Sequence, residues 1–295
     1  MLPNGVQKPK NYEEAKFRYL NGKSIAKISN ELSIERHKLS AHLRYDGIQI
    51  RQNGQKYQHN TSFFETIDSE IKAYWLGFLY ADGEIRSFER HMLRLSLSRK
   101  DRDHILKFKN IISPESKISN YKARIRETEY KASRLTIVSK QIIQDLEKLG
   151  CTQNKTLTLT FPNNSIVPQQ LISHFIRGYF DGDGSIVART KRNKDGKIPS
   201  PCFSLLGTQS FLLSIMTIFC EKLQFTITKL HTKGNIFIYT KSGRNNVQKL
   251  YEYLYKDANI YLKRKKDKMF IATLPPLKRI QVQSENDVNS GNPKS

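Results

Sequence analysis

Acidic residues are scarce in this chain: 27 Asp and Glu stand against 50 Lys and Arg in 295 residues, a formal net charge of +23 with a sequence pI near 9.9. So large a deficit disfavours a polycationic partner and points to a polyanion, of which nucleic acid is the commonest. Charge alone names a partner class and no chemistry. Cysteine is scarcer still. Cys151, Cys202 and Cys220 are odd in number and show no short paired spacing, which suggests neither a disulfide framework nor a zinc site. Long hydrophobic runs are missing as well: the apolar stretch of about eight residues around position 76 falls far short of the ~20 that a membrane span requires. The opening MLPNGVQKPK has no apolar signal core and no Arg-rich amphipathic character, so the expectation is an intracellular, cytoplasmic protein, in a bacterial or phage setting, without a membrane partner. What is present suffices for real cores, with 38% hydrophobic residues, 15 Phe and 14 Tyr, and the length allows two or three compact units.

The most informative feature is a device used twice. YWLGFLYADGEI, at 74–85, and HFIRGYFDGDGSI, at 174–186, each run an apolar stretch through a small residue to a carboxylate followed by glycine. Ile71, Trp75, Phe78 and Leu79 fall at helical spacing in the first, as do Leu171, Phe175, Ile176 and Tyr179 in the second. Asp68 and Glu70 supply a cap and first-turn charge for one, and Pro168 opens the other. Gly83 and Gly184 then stand where a helix stops, and a left-handed C-terminal cap is expected there. An Asp-Gly pair is also a hairpin-turn signal, but the helical spacing and the duplication favour helix ends.

Asp82 and Asp183 therefore lie at helix C-termini, which already carry partial negative charge and favour cations. Gly77 with Ala81, and Gly178 with Gly182, are small residues four apart and share a helix face. Two helices meeting through such faces approach closely and bring Asp82 and Asp183 side by side. Divalent cations would neutralise that repulsive pair, and carboxylates sharing hard cations with phosphate are what phosphodiester cleavage with Mg²⁺ needs.

These segments resemble the paired motifs of the LAGLIDADG homing endonucleases in the single-chain form. The match rests on Gly77, Ala81, Asp82 and Gly83 in one copy and on Gly178, Asp181, Gly182, Asp183 and Gly184 in the other. Tyr80 departs from the pattern, standing where the family has its earlier Asp. The resemblance implies an α+β fold of two pseudo-symmetric halves, each with an antiparallel sheet whose outward face lies in the DNA major groove, and with the motif helices at the interface. It also implies that Asp82 and Asp183 are catalytic and hold Mg²⁺, for which Mn²⁺ substitutes; main-chain contributions to the metal are left open. Lys100 in SRKDRD and Gln209 in GTQS occupy the positions where such enzymes place supporting catalytic groups; Lys155 and the run KRKKDK at 263–268 are rivals.

Reading onward from each motif, HMLRLSLSR alternates Leu93, Leu95 and Leu97 against Arg94, Ser96 and Ser98, the period of a strand with one buried face. HILKFKNII reads as a helix, RLTIVS as a strand and KQIIQDLEKLG as a helix closed by Gly150. After Asp183 come the strand SIVART, the loop KRNKDGKIPSP, the strand CFSLLG, the helix FLLSIMTIFCEKL, the strands TITKLHT and NIFIYT, and the helix NVQKLYEYLY. Lys140 and Lys241 repeat the 101-residue separation of Asp82 and Asp183, which is taken as the register of a duplication. The halves are placed at 69–162 and 163–280, joined around FPNNSIVP. Strand and hairpin residues of the type that contact DNA are Arg86, Arg94, Lys122, Arg124, Arg126, Arg134, Arg189, Lys191, Arg192 and Lys229.

Residues 1–50 are a different object. YEEAKFRYL is a helix candidate; Ser24 caps a second helix with Ile25, Ile28 and Leu32 on one face, and Leu39 and Leu43 mark a third. This resembles a helix-turn-helix DNA-binding unit, with 35–45 as recognition helix and Arg36, His37, Lys38, Ser40 and Arg44 exposed, although the turn at Ser33 lacks the usual glycine. Residues 51–68 read as a linker and 281–295 as a disordered tail. The expected activity is site-specific double-strand DNA cleavage by a monomer at a long asymmetric target, leaving 3′ overhangs. A non-cleaving transcriptional regulator on the same scaffold and an intron RNA maturase remain open as alternatives.

Overall fold

Alternation does make strands here. In the computed structural model, which describes residues 7–51, 57–88, 91–125, 127–188 and 200–275, Leu93, Leu95 and Leu97 all turn into the core. They belong to β2 (Met92–Ser98), which pairs antiparallel with β1 (Gly83–Arg86) and with β4 (Thr128–Val138); β3 (Ser119–Ile125) completes a four-stranded sheet of order β1-β2-β4-β3. The second half repeats that topology as β5-β6-β8-β7, from β5 (Ser185–Val187), β6 (Cys202–Gly207), β7 (His231–Lys233) and β8 (Ile236–Ser242).

Helices cover one face of each sheet. In the first half these are α5 (Arg102–Ile112) and α6 (Lys140–Lys148); in the second, α8 (Gln209–Leu223) and α9 (Arg244–Tyr255), with α10 (Lys263–Thr273) packed on α9 and β5. The two motif helices, α4 (Glu70–Asp82) and α7 (Ile172–Asp183), lie against each other, and their buried aromatics join both halves into one continuous core. The fold is α+β with two pseudo-symmetric halves.

Several expectations are corrected. Gly83 and Gly184 are not left-handed caps: their φ values are −77° and −73°, in extended conformation. Glycine is required there for space, because a Cβ would sit 2.6 Å from Leu79 O at one and 2.5 Å from Phe180 O at the other. Ile71 is 40% exposed and lies off the buried face, and the N-cap of α4 is Ser69, while Asp68 pairs with Lys72 at 2.8 Å. Of TITKLHT only the last two residues join a strand, since β7 starts at His231; residues 226–230 have the alternation but no partner, and Ile227 is 76% exposed. The Lys140 and Lys241 spacing is a coincidence. Glu84 pairs with Arg94 and that with Thr136, as Ser185 pairs with Ser204 and that with Thr240. Counting from these rows, Lys140 at the start of α6 corresponds to Arg244 at the start of α9, whereas Lys241 lies inside β8 opposite Phe203.

The segment before α4 packs into the first half: Phe63, Phe64 and Ile67 are buried in its core, and His59 meets Ser113 at 2.8 Å. The N-terminal residues form α1 (Tyr12–Leu20), α2 (Ile25–Leu32) and α3 (Arg36–Tyr45) around a separate core of Tyr12, Ala15, Tyr19, Ile28, Ile34, Leu39 and Leu43. Ser24 caps α2, accepting from Lys27 N at 3.3 Å, and Ser33 takes the left-handed turn conformation itself, at φ +53°. No described helix is long and apolar enough to cross a membrane.

Candidate active site

The site is made by two glycines. A Cβ built on Gly77 would lie 2.0 Å from Phe175 O, and one on Gly178 would lie 2.0 Å from Tyr74 O. Each helix thus fills the other's missing side chain with a backbone carbonyl, and one turn later Ala81 meets Gly182, where a Cβ would be 2.4 Å from the Ala81 methyl. This contact delivers Asp82 and Asp183 together at the ends of their helices: the Cβ position on Gly182, next to Asp183, is only 3.3 Å from Asp82 Oδ2.

Among the described residues neither carboxylate accepts a hydrogen bond. Burial, reinforced by the charge of Asp183, pushes the Asp82 carboxyl up to about 7, and burial raises Asp183 as well. The helix ends add their own negative potential. An acid pair without donors, Asp82 half-buried and Asp183 reaching solvent, at two carbonyl-rich helix ends, fits a hard divalent cation, which takes six or more oxygens. No cluster of three or more His, Cys, Asp or Glu forms among the described residues, so carbonyls, water and a ligand's oxygens must complete the set.

Two lysines flank the pair. Lys155, in a short 3₁₀ turn after α6, donates to Gly83 O, and Lys265, in the first turn of α10, donates to Phe180 O at 3.2 Å and to Gly184 O. Both are buried. Burial pushes the Lys265 ammonium down to about 8 against the opposing pull of Asp181, Asp82 and Asp183. They occupy matching places, one per half, because each neutralises the carbonyl at the end of one motif helix. Lys100 and Gln209 are both exposed where the chain leaves β2 and β6 to enter a helix, one position apart by the strand rows, and no described interaction ties either to the acid pair.

The sequence singled out Lys155 and the 263–268 run only as separate rivals and did not pair them. A signal was there: Lys265, Met269 and Ala272 fall at helical spacing and are the buried face of α10. The departure at Tyr80 also finds its reason. Tyr80 donates to Leu149 O at the end of α6, while its counterpart Asp181 accepts from Tyr74 OH at 2.7 Å, from Tyr255 OH and from Leu262 N at 2.6 Å, the N-cap of α10. Each residue fastens the segment that carries its half's lysine. At the opposite end of the helix pair, the buried Arg177 binds Glu70 at 2.6 Å and the carbonyls of Leu254 and Ile260, and Glu70 accepts from Asn259 Nδ2 at 2.7 Å.

Both sheets open onto the acid pair. One cavity is lined by Asp82, Glu84, Arg86, Phe88, Gln153 and Lys155, another by Asp183, Lys155, Tyr179, Leu206, Gly207 and Ile236. Of the expected DNA contacts, Arg86 and Arg94 share Glu84 at 2.8 and 3.0 Å, Lys122 pairs with Glu129 at 2.9 Å, and Arg124 and Lys229 are exposed. Arg134 binds Ser96 Oγ at 3.0 Å and stacks over Tyr121. Arg126, Arg189, Lys191 and Arg192 lie outside the described residues. On α3, Arg36, His37 and Arg44 are exposed, Lys38 pairs with Glu35 at 2.6 Å, and Ser40 Oγ donates to Arg36 O.

The raised Asp82 carboxyl has a consequence for stability. The native protein keeps a proton that the unfolded chain releases near pH 4, so this group's contribution is present below that pH and is lost as pH rises to about 7. In EDTA, the melting temperature of the native protein is expected to fall across that window more steeply than that of the Asp82→Asn variant. Parallel curves in scanning calorimetry would remove the assigned repulsion.

No family model and no curated protein matches the sequence. Among solved structures, the chain is similar to the homing endonuclease I-WcaI bound to its DNA recognition sequence, at 13% identity and a TM-score of 0.49, over 70% of this chain and 90% of that one. It is similar also to the LAGLIDADG homing endonuclease I-GzeII in complex with its DNA target, at 13% identity and a TM-score of 0.45, over 70% and 89% of the two chains. A third is the LAGLIDADG meganuclease I-AabMI bound to uncleaved DNA, at 12% identity and a TM-score of 0.40, over 68% and 88%.

Proposed function

We propose that this chain is a site-specific double-strand DNA endonuclease that works as a monomer with a divalent cation. The observation that supports this most is the donor-free Asp82 and Asp183 pair, set between two buried lysines at the seam of two antiparallel sheets. Asp82 and Asp183 hold Mg²⁺, or Mn²⁺ in its place, which supplies the Lewis-acid charge that phosphodiester hydrolysis requires. Lys155 and Lys265 stand where positive charge stabilises a phosphate that gains charge as its bond breaks; the geometry favours them for the supporting role, and Lys100 and Gln209 are left to order solvent at the rim. Because each half brings one acid and one lysine, one chain suffices for both strands, and unlike halves call for a long asymmetric target.

The N-terminal helices extend the contact as a helix-turn-helix module, with Arg36 and Arg44 on phosphates. Each phosphate neutralised adds about 0.9 to the slope of log affinity against log salt, so the Arg36→Ala, Arg44→Ala double variant is expected to lower that slope by about two. An unchanged slope in fluorescence-anisotropy titrations would reduce this unit to scaffold.

The deciding experiment is incubation of a randomised duplex library with Mg²⁺, comparing the native chain with the Asp82→Asn, Asp183→Asn double variant and sequencing the ends. Defined ends made only by the native chain support the nuclease. The same sequences selected but left uncut by both favour a transcriptional regulator, and selection of no duplex turns attention to intron RNA.

A further inference from the structure

The two halves share a fold but not a surface. Matching strand rows places Glu84, Arg94 and Thr136 of the first sheet against Ser185, Ser204 and Thr240 of the second. Two residues to one side, Ser96 and Arg134 match Leu206 and Ile238; two to the other, Arg86 and Met92 match Val187 and Cys202. Every charge on these rows of the first sheet's open face is therefore replaced in the second by a hydroxyl or an apolar group.

These apolar groups belong to no core. Val187, Cys202, Leu206, Ile236 and Ile238 are all at least partly exposed and lie outside both hydrophobic clusters, whereas their strand neighbours Phe203, Leu205 and Tyr239 point the other way and are fully buried. Leu206 and Ile236 line the same cavity as Asp183 and Lys155, so the apolar face runs into the candidate active site. Lys233, exposed in β7 and paired with Ile236, edges it, and Lys229 is exposed in the segment just before β7. An apolar floor with cationic edges, continuous with a phosphate-cleaving site, suits a duplex major groove whose walls are phosphates and whose floor offers hydrocarbon.

The hydrocarbon of that groove is the C5-methyl of thymine, while guanine presents acceptors that arginine reads in bidentate fashion. Resting on the endonuclease reading, we infer that the second half recognises a thymine-rich half-site through Leu206, Ile236 and Ile238, whereas the first half reads hydrogen-bonding edges through Arg94 and Arg134. Specificity is thus divided by chemistry between the halves.

The test uses the full chain in EDTA, so that binding is read without cutting. A site is selected from random duplex DNA, and the half-site altered by Arg94→Ala is assigned to the first half. Thymines are then replaced by deoxyuridine, which lacks only the methyl, in one half-site at a time. Burying one methyl is worth about 0.8 kcal/mol, or about fourfold in affinity. Deoxyuridine beneath the second half should therefore weaken binding about fourfold for each contacted base, while the other half-site responds little. The Leu206→Ser, Ile238→Ser variant should bind both versions alike. Equal affinity of the native chain for thymine and deoxyuridine in the second half-site overturns the inference and leaves the nuclease reading standing; selection of no duplex, or of RNA alone, overturns both.

Discussion

Replacing Asp82 by Asn is expected to lower double-strand cleavage by at least about a hundredfold, the scale on which a single group aimed at developing charge is worth in an active site, with duplex affinity nearly unchanged. Asp183→Asn should do the same, and any product that remains should be nicked, because each half carries its own acid and lysine. The same changes should make the metal-free protein harder to unfold at pH 8, since each removes a carboxyl that burial holds above its ordinary range, Asp82 with the charge of Asp183 added. Function and stability then move in opposite directions, the usual mark of a site whose strain is part of its chemistry. A variant that cuts normally would end the assignment; one that neither cuts nor gains stability would show the acids to be structural.

The second large effect concerns folding. The Gly178→Ala change adds one methyl, yet that carbon would stand 2.0 Å from Tyr74 O and 2.9 Å from Tyr74 C, both backbone atoms that cannot swing aside. Overpacking of this kind costs about 3 kcal/mol or more, which in a chain of this size lowers the melting temperature by about 6–12 °C. Gly77→Ala should cost as much, since its methyl would stand 2.0 Å from Phe175 O in the reciprocal contact. The control is Gly234→Ala, a surface turn where nothing lies within 4 Å and only the positive φ of +59° resists the change. Equal losses at Gly178 and Gly234 in thermal melts would mean that the motif helices do not meet backbone to backbone.

The pairing of small residues was legible because the spacing of Gly77 and Ala81 repeats in Gly178 and Gly182 and needs only the helical period to be read. The role of Gly83 was misread, since sequence shows that a side chain is absent but not whether the cause is backbone conformation or a neighbour's atoms. The lysines were harder. Lys155 sits in a 3₁₀ turn and Lys265 in a helix, so no shared local pattern links them, and their equivalence exists only through the carbonyls they reach. Lys140 and Lys241 show the converse, an equal spacing produced by chance once the second half had a longer first hairpin and a shorter middle. Residues 226–230 had the period of a strand, but β7 pairs with β8 only from His231 to Lys233, and alternation alone does not say where pairing stops.

The reciprocity of the glycine contact reaches beyond stability. Gly77 is roofed by Phe175 and Gly178 by Tyr74, so each copy of the motif polices the other, and neither can drift without its twin. The sheets are under no such mutual watch, and there an arginine in one copy has become an isoleucine in the other. A chain built this way has a fixed hinge and two independently editable palms, and the natural point at which to exchange halves between two such chains is the helix pair, whose backbone contacts leave the least room for a side chain.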